Sequence, residues 1–137
     1  MIGFVCGIKG SGKTQRMVDM ANTILRDTMG KIVFVDDDGD RMFDLKPAIR
    51  LVNASEYGVT ESEAFYGFMA GIVAGDFDIH TIFVDSFLKI VKKPLDELQD
   101  LFERLMDMSD KHDVKLILSI SAEDSALPAF VAERKLD

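Results

Sequence analysis

The chain has 137 residues, of which 47% are hydrophobic and 29% charged, and its net charge is −8. That length suits one domain, 1–137, whose folding buries about two-thirds of the surface of the unfolded chain, enough for a core without staples. The acid excess argues against a general affinity for nucleic acid or for an anionic membrane, since both reward surplus Lys and Arg.

One cysteine, Cys6, cannot make an internal disulfide, which fits a reducing compartment. Its place in an apolar run reads as a small buried filler. That run is short and has no basic leader before it, so no signal peptide is expected. The longest apolar helical stretch, 64–74, falls far short of the ~18 residues of a membrane span. A cytoplasmic protein is expected.

In chain order, residues 2–6 read as a buried parallel strand. Gly7-Ile8-Lys9-Gly10-Ser11-Gly12-Lys13-Thr14 follows and fits G-x-x-x-x-G-K-[ST], the P-loop or Walker A motif. A helix over 13–29 comes next, with Met17, Val18, Ala21, Ile24, Leu25 and Thr28 on one face, and Gly30 is expected to stop it at C′. Residues 32–35 form a second strand, ending in Asp36-Asp37-Asp38-Gly39-Asp40. Residues 49–52 give a short third strand. Thr60-Glu61-Ser62-Glu63 reads as a capping box opening a helix with Phe65, Phe68, Met69, Ile72 and Val73 on its apolar face. Gly67, Gly71 and Gly75 form a ridge along it that would let the helix lie close on a sheet, or meet a second subunit. Residues 81–84 are a fourth strand ending at Asp85. Lys89, Lys92 and Lys93 read as a solvated helix start. Pro94 suits N1 of a helix burying Leu95, Leu98, Leu101, Phe102, Leu105 and Met108. Residues 114–120 are a fifth strand, and a short helix follows Pro128. Alternating strands and helices imply an α/β fold, a three-layer α/β/α sandwich with a mostly parallel five-stranded sheet.

The glycine-rich stretch carries the chemistry. A strand delivers it and a helix N-terminus follows, so orphan amides and the positive end of the helix dipole meet at one place, suited to phosphate. Residues Gly7, Ile8, Lys9, Gly10, Ser11, Gly12, Lys13, Thr14 and Gln15 form the candidate nucleotide-binding segment, with Lys13 reaching the β/γ-phosphates and Thr14 a ligand to Mg²⁺. Ile82-Phe83-Val84-Asp85 is the matching Walker B pattern, whose carboxylate would help hold Mg²⁺ opposite Thr14. His80 and His112 have no partner at metal spacing and read as surface or capping residues.

With Asp85-Ser86 after its strand, the chain resembles the RecA-like P-loop NTPases, a group that includes recombinases and replicative helicases. More common P-loop ATPases place Glu where this chain has Ser86. The resemblance implies that the strand of 114–120 lies between the P-loop and Walker B strands. It also implies that the carboxylate activating the attacking water is Asp38, with Asp36 or Asp37 as alternates, and that Ser119 or Ser121 senses the γ-phosphate. Arg41 and Arg134 are candidate arginine fingers. Other P-loop classes fit less well: there is no N-K-x-D guanine reader, no Arg-rich lid, no signature Lys at Ile8 and no zinc-binding cysteine set. The expectation is an ATP-binding protein and Mg²⁺-dependent ATPase, with Lys13, Asp38 and Asp85 catalytic. The alternatives are a nucleotide switch that hydrolyses poorly, docking a protein partner or a second copy, and a small-molecule kinase.

Overall fold

The computed structural model describes residues 1–37 and 44–136. Five strands, β1 (Ile2–Gly7), β2 (Lys31–Asp36), β3 (Arg50–Asn53), β4 (Ile79–Val84) and β5 (Lys115–Ser121), form one sheet in the order β1-β5-β4-β2-β3. Every pairing is parallel. β5 therefore stands between β1 and β4, the place expected for 114–120. On the outer side of β1, Phe4 exchanges backbone hydrogen bonds with Arg134 and Leu136, forming a one-residue bridge to Lys135.

The helices are α1 (Lys13–Asp27), α2 (Ser62–Gly75), α3 (Phe87–Ile90), α4 (Gln99–His112) and α5 (Ala129–Ala132). Continuous apolar runs make the strands, because a parallel sheet is buried on both faces. One side of the sheet packs against α2, α3, α4 and α5 through Phe4, Phe65, Phe87, Phe102 and Leu118. The other packs against α1 through Val5, Met17, Val18, Ala21, Phe34, Phe83 and Ile117. No helix among the described residues is long and apolar enough to cross a membrane.

Several local expectations change. Helix α1 ends at Asp27 with Thr28 extended as its C-cap, so Gly30 is not a left-handed C′ residue. The Thr28 hydroxyl accepts from the Gly30 amide at 3.1 Å. A Cβ on Gly30 would stand 2.7 Å from that of His80, so close approach to β4 is what requires glycine there. Helix α2 starts one residue beyond the capping-box reading: its N-cap is Glu61, no side chain caps it, and Glu63 pairs instead with Arg104 of α4 at 2.7 Å. The ridge of Gly67, Gly71 and Gly75 does not lie on the sheet. All three are exposed, with open space where a Cβ would be. Pro94 precedes a 3-10 turn, Leu95–Glu97, and α4 begins only at Gln99.

Candidate functional site

The carboxyl ends of β4 and β5 meet the N-terminus of α1 at a cavity of about 630 Å³. Chain geometry at this point is set by two glycines. Gly10 (φ 82°) and Gly12 (φ 87°) occupy the left-handed region, where a Cβ is strained. Gly12 is also the N-cap of α1, so no side chain caps the helix, and no acid stands in its first turn. The positive end of the helix dipole is left for an outside anion.

Lys13 is buried, and its ammonium donates to the Ile8 carbonyl oxygen at 2.9 Å. The Ser11 amide donates to the same oxygen at 3.1 Å. Burial holds the Lys13 pKa below the ordinary lysine value; Asp85 opposes that shift, while Arg16 and Lys89 add to it. Arg16, three residues on, reaches back along β1 to donate to the Cys6 carbonyl at 3.0 Å.

Asp85 is 1% exposed and is gripped at both oxygens. Thr14 Oγ1 donates to Oδ2 at 2.7 Å, and Ser119 Oγ donates to Oδ1 at 2.8 Å. The Ser119 oxygen in turn accepts from the Ser86 amide at 2.8 Å. The Asp85 amide donates to Val35 at 2.8 Å, tying this corner to β2. Hydrogen bonds on both oxygens offset the cost of burying the carboxylate.

Of the expected nucleotide-binding residues, Lys9, Gly10, Gly12, Lys13, Thr14 and Gln15 line the cavity with Asp85. Gly7, Ile8 and Ser11 shape the loop without lining it; Gly7 ends β1, and its carbonyl accepts from the Ala122 amide at 3.1 Å. Ser121 lines the cavity and is exposed, whereas Ser119 is committed to Asp85 and Ser86. Asp36 is buried at the end of β2, and the Asp37 carbonyl accepts from the Ser55 amide at 3.0 Å. Asp38 and Arg41 lie outside the described residues. Arg134 is not at the cavity: it stacks 3.9 Å over Phe130, donates to the Phe130 carbonyl and pairs with Glu133 at 3.6 Å.

Two features escape sequence reasoning. Ser86 is left-handed (φ 56°) without being glycine, and it launches α3 straight off the strand end. Lys89, read as part of a solvated helix start, lies on α3 and lines the cavity. The lysine cluster after Asp85 was the available signal. Among the described residues no group of three or more His, Cys, Asp or Glu is arranged to hold a metal ion. No protein-family model and no curated protein matches this chain.

Proposed function

We propose that this chain binds Mg-ATP in the cavity and hydrolyses its terminal anhydride, as a small P-loop ATPase of RecA-like type. The observation that carries the reading is the 2.7 Å hydrogen bond from Thr14 to Asp85, which joins the N-terminus of α1 to the end of β4 beside a buried lysine. By giving its hydrogen to Asp85, the Thr14 oxygen becomes the electron-pair donor at that corner. A threonine oxygen with a carboxylate behind it suits magnesium, a hard cation that takes oxygen ligands and keeps several of its waters. Bound there, magnesium would neutralise charge on phosphate oxygens. The first-turn amides of α1 and the Lys13 ammonium would hold the phosphates, and Ser119 would keep Asp85 aimed. Water activation falls to Asp38, with Asp36 or Asp37 as alternates; Asp36 ends the strand beside β4. Catalysis of this kind is positioning plus electrostatics. The chain carries no guanine-reading motif, so ATP is the nucleotide proposed.

A second reading is favoured by Arg134, which is held against Phe130 and Glu133. Arginine fingers contribute on the order of 10³–10⁵ in related chemistry. Without one, turnover would be slow, and the protein would serve as a nucleotide switch.

Melting with Mg-ATP tests binding. A ligand at a hundredfold excess over Kd stabilises by about 2.7 kcal/mol, so a rise of several degrees is expected, absent in Lys13→Ala. A wild-type melt that ATP and GTP with magnesium both leave unmoved would sink the proposal. Phosphate release that falls in Asp38→Ala while the melting shift persists identifies the ATPase; a shift without release leaves the switch.

A further inference from the structure

We propose that Lys89 reads the terminal phosphate, so that the site distinguishes a nucleoside triphosphate from a diphosphate. This rests on the nucleotide-binding reading above and adds a residue to it from outside the glycine-rich loop. The chain carries a net charge of −8, yet three lysines, Lys9, Lys13 and Lys89, line this one cavity against a single carboxylate among the described residues. That carboxylate, Asp85, already has both oxygens engaged by Thr14 and Ser119. Among the described residues the lysines at this cavity thus exceed the carboxylates, which suits a polyanion.

The three lysines differ in how they are held. Lys13 is buried and bonded to the Ile8 carbonyl. Lys9 is on the exposed loop. Lys89 enters from the Asp85 side, on an element of its own. Phe87 and Ile90 anchor α3 in the core, the Lys89 amide donates to the Ser86 carbonyl at 2.9 Å, and the side chain is left exposed. Lys31, Lys135 and Arg104 each hold a carboxylate within 3 Å; Lys89 holds none among the described residues. Its charge is close enough to Lys13 to add to the lowering of that lysine's pKa. Two cations from separate elements facing one cavity can grip different ends of a phosphate chain. Lys13, fixed at the helix N-terminus, serves any nucleotide with a β-phosphate, whereas Lys89 beyond Asp85 is satisfied only when a further phosphate is present.

Titration calorimetry with Mg-ATP and Mg-ADP decides it, on wild type, Lys89→Ala, Lys89→Arg and, as the control for the whole site, Lys13→Ala. A charged hydrogen bond of this kind corresponds to about a ten- to hundredfold change in affinity. Lys89→Ala is expected to weaken ATP by that factor and ADP by no more than about twofold, since only the triphosphate makes the contact. Lys89→Arg keeps the charge and the preference. Equal losses for the two nucleotides, or none, would overturn the assignment while leaving the nucleotide-binding reading intact. Wild type that binds neither nucleotide removes that reading and this one with it.

Discussion

One side of the sheet carries α2, α3, α4 and α5 over a cluster that includes Phe4, Phe65, Phe87, Phe102 and Phe130; the other carries α1 over Val5, Phe34, Phe83 and Ile117. On the first side, side chains stay apolar to the strand ends: β5 offers Leu116, Leu118 and Ile120. On the second they turn polar toward the carboxyl end, as Ile117 gives way to Ser119 and Ser121. The sheet thus divides its labour by residue parity. Aromatic packing holds the fold from one side, so the opposite side can give up apolar area to an aspartate and its hydrogen-bond partners.

The largest expected effect is on the crowded side. Phe102 stands 5.0 Å from Phe4, 5.5 Å from Phe87 and 6.1 Å from Phe130, and it is buried. Phe102→Ala should cost about 3–5 kcal/mol in urea unfolding. A loss below about 1 kcal/mol would mean that the aromatic side is not the main support. On the α1 side, Ser119→Ala leaves one oxygen of buried Asp85 and the Ser86 amide unmatched, with an expected cost of about 1–3 kcal/mol. Its exposed neighbour Ser121→Ala should stay within about 0.5 kcal/mol, and equal effects at the two serines would blur the contrast. Smaller than the Ser119 effect, and of opposite sign, are those of Gly67→Ala and Gly71→Ala. Each adds a methyl into open space on the outer surface of α2 and should stabilise by about 0.5–1 kcal/mol. A loss of stability there would show that this surface is covered.

The smallest effect lies in acid. Hydrogen bonding to Arg104 holds the Glu63 pKa below its ordinary 4.5, and hydrogen bonding to Lys31 holds Asp76 below 3.8. Carboxylates with lowered folded values contribute stability that is fully present above those ordinary values and is lost as the pH falls through the folded ones. Melting temperature should therefore drop on the acid side of about pH 4.5, less steeply in Glu63→Gln and less steeply in high salt, because both pairs are at the surface. An acid limb unchanged in Glu63→Gln would show that the bridge between α2 and α4 does nothing.

The elements themselves were legible because apolar runs and helical periods are local. All five strands appear within a few residues of where the pattern puts them, and Met17, Val18, Ala21, Ile24 and Leu25 of α1 and Leu101, Phe102, Leu105 and Met108 of α4 face inward as read, whereas Thr28, Leu95 and Leu98 fall outside those helices. That Lys13, Thr14 and Asp85 meet at one cavity was also legible, the first two from glycine spacing and the third from a strand ending in acid. The expected catalytic Asp38 lies outside the described residues. What the letters hid depends on contacts distant in sequence. Gly30 looks like a helix stop until His80 is seen against it. The glycines of α2 carry a packing period but face outward, since period alone does not say which side of a helix meets the sheet. Lys89 was hidden by a serine in a conformation usually left to glycine or asparagine, which starts a helix earlier than any cap or proline signals.

The Lys13 ammonium rests on the Ile8 carbonyl, a bond from the loop to itself. An ammonium has three N–H donors and this dipole takes one, so an arriving anion could be met by the other two while the loop keeps its hold. The lysine would then be positioned by the loop before any guest comes, and less ordering would be left to do on binding.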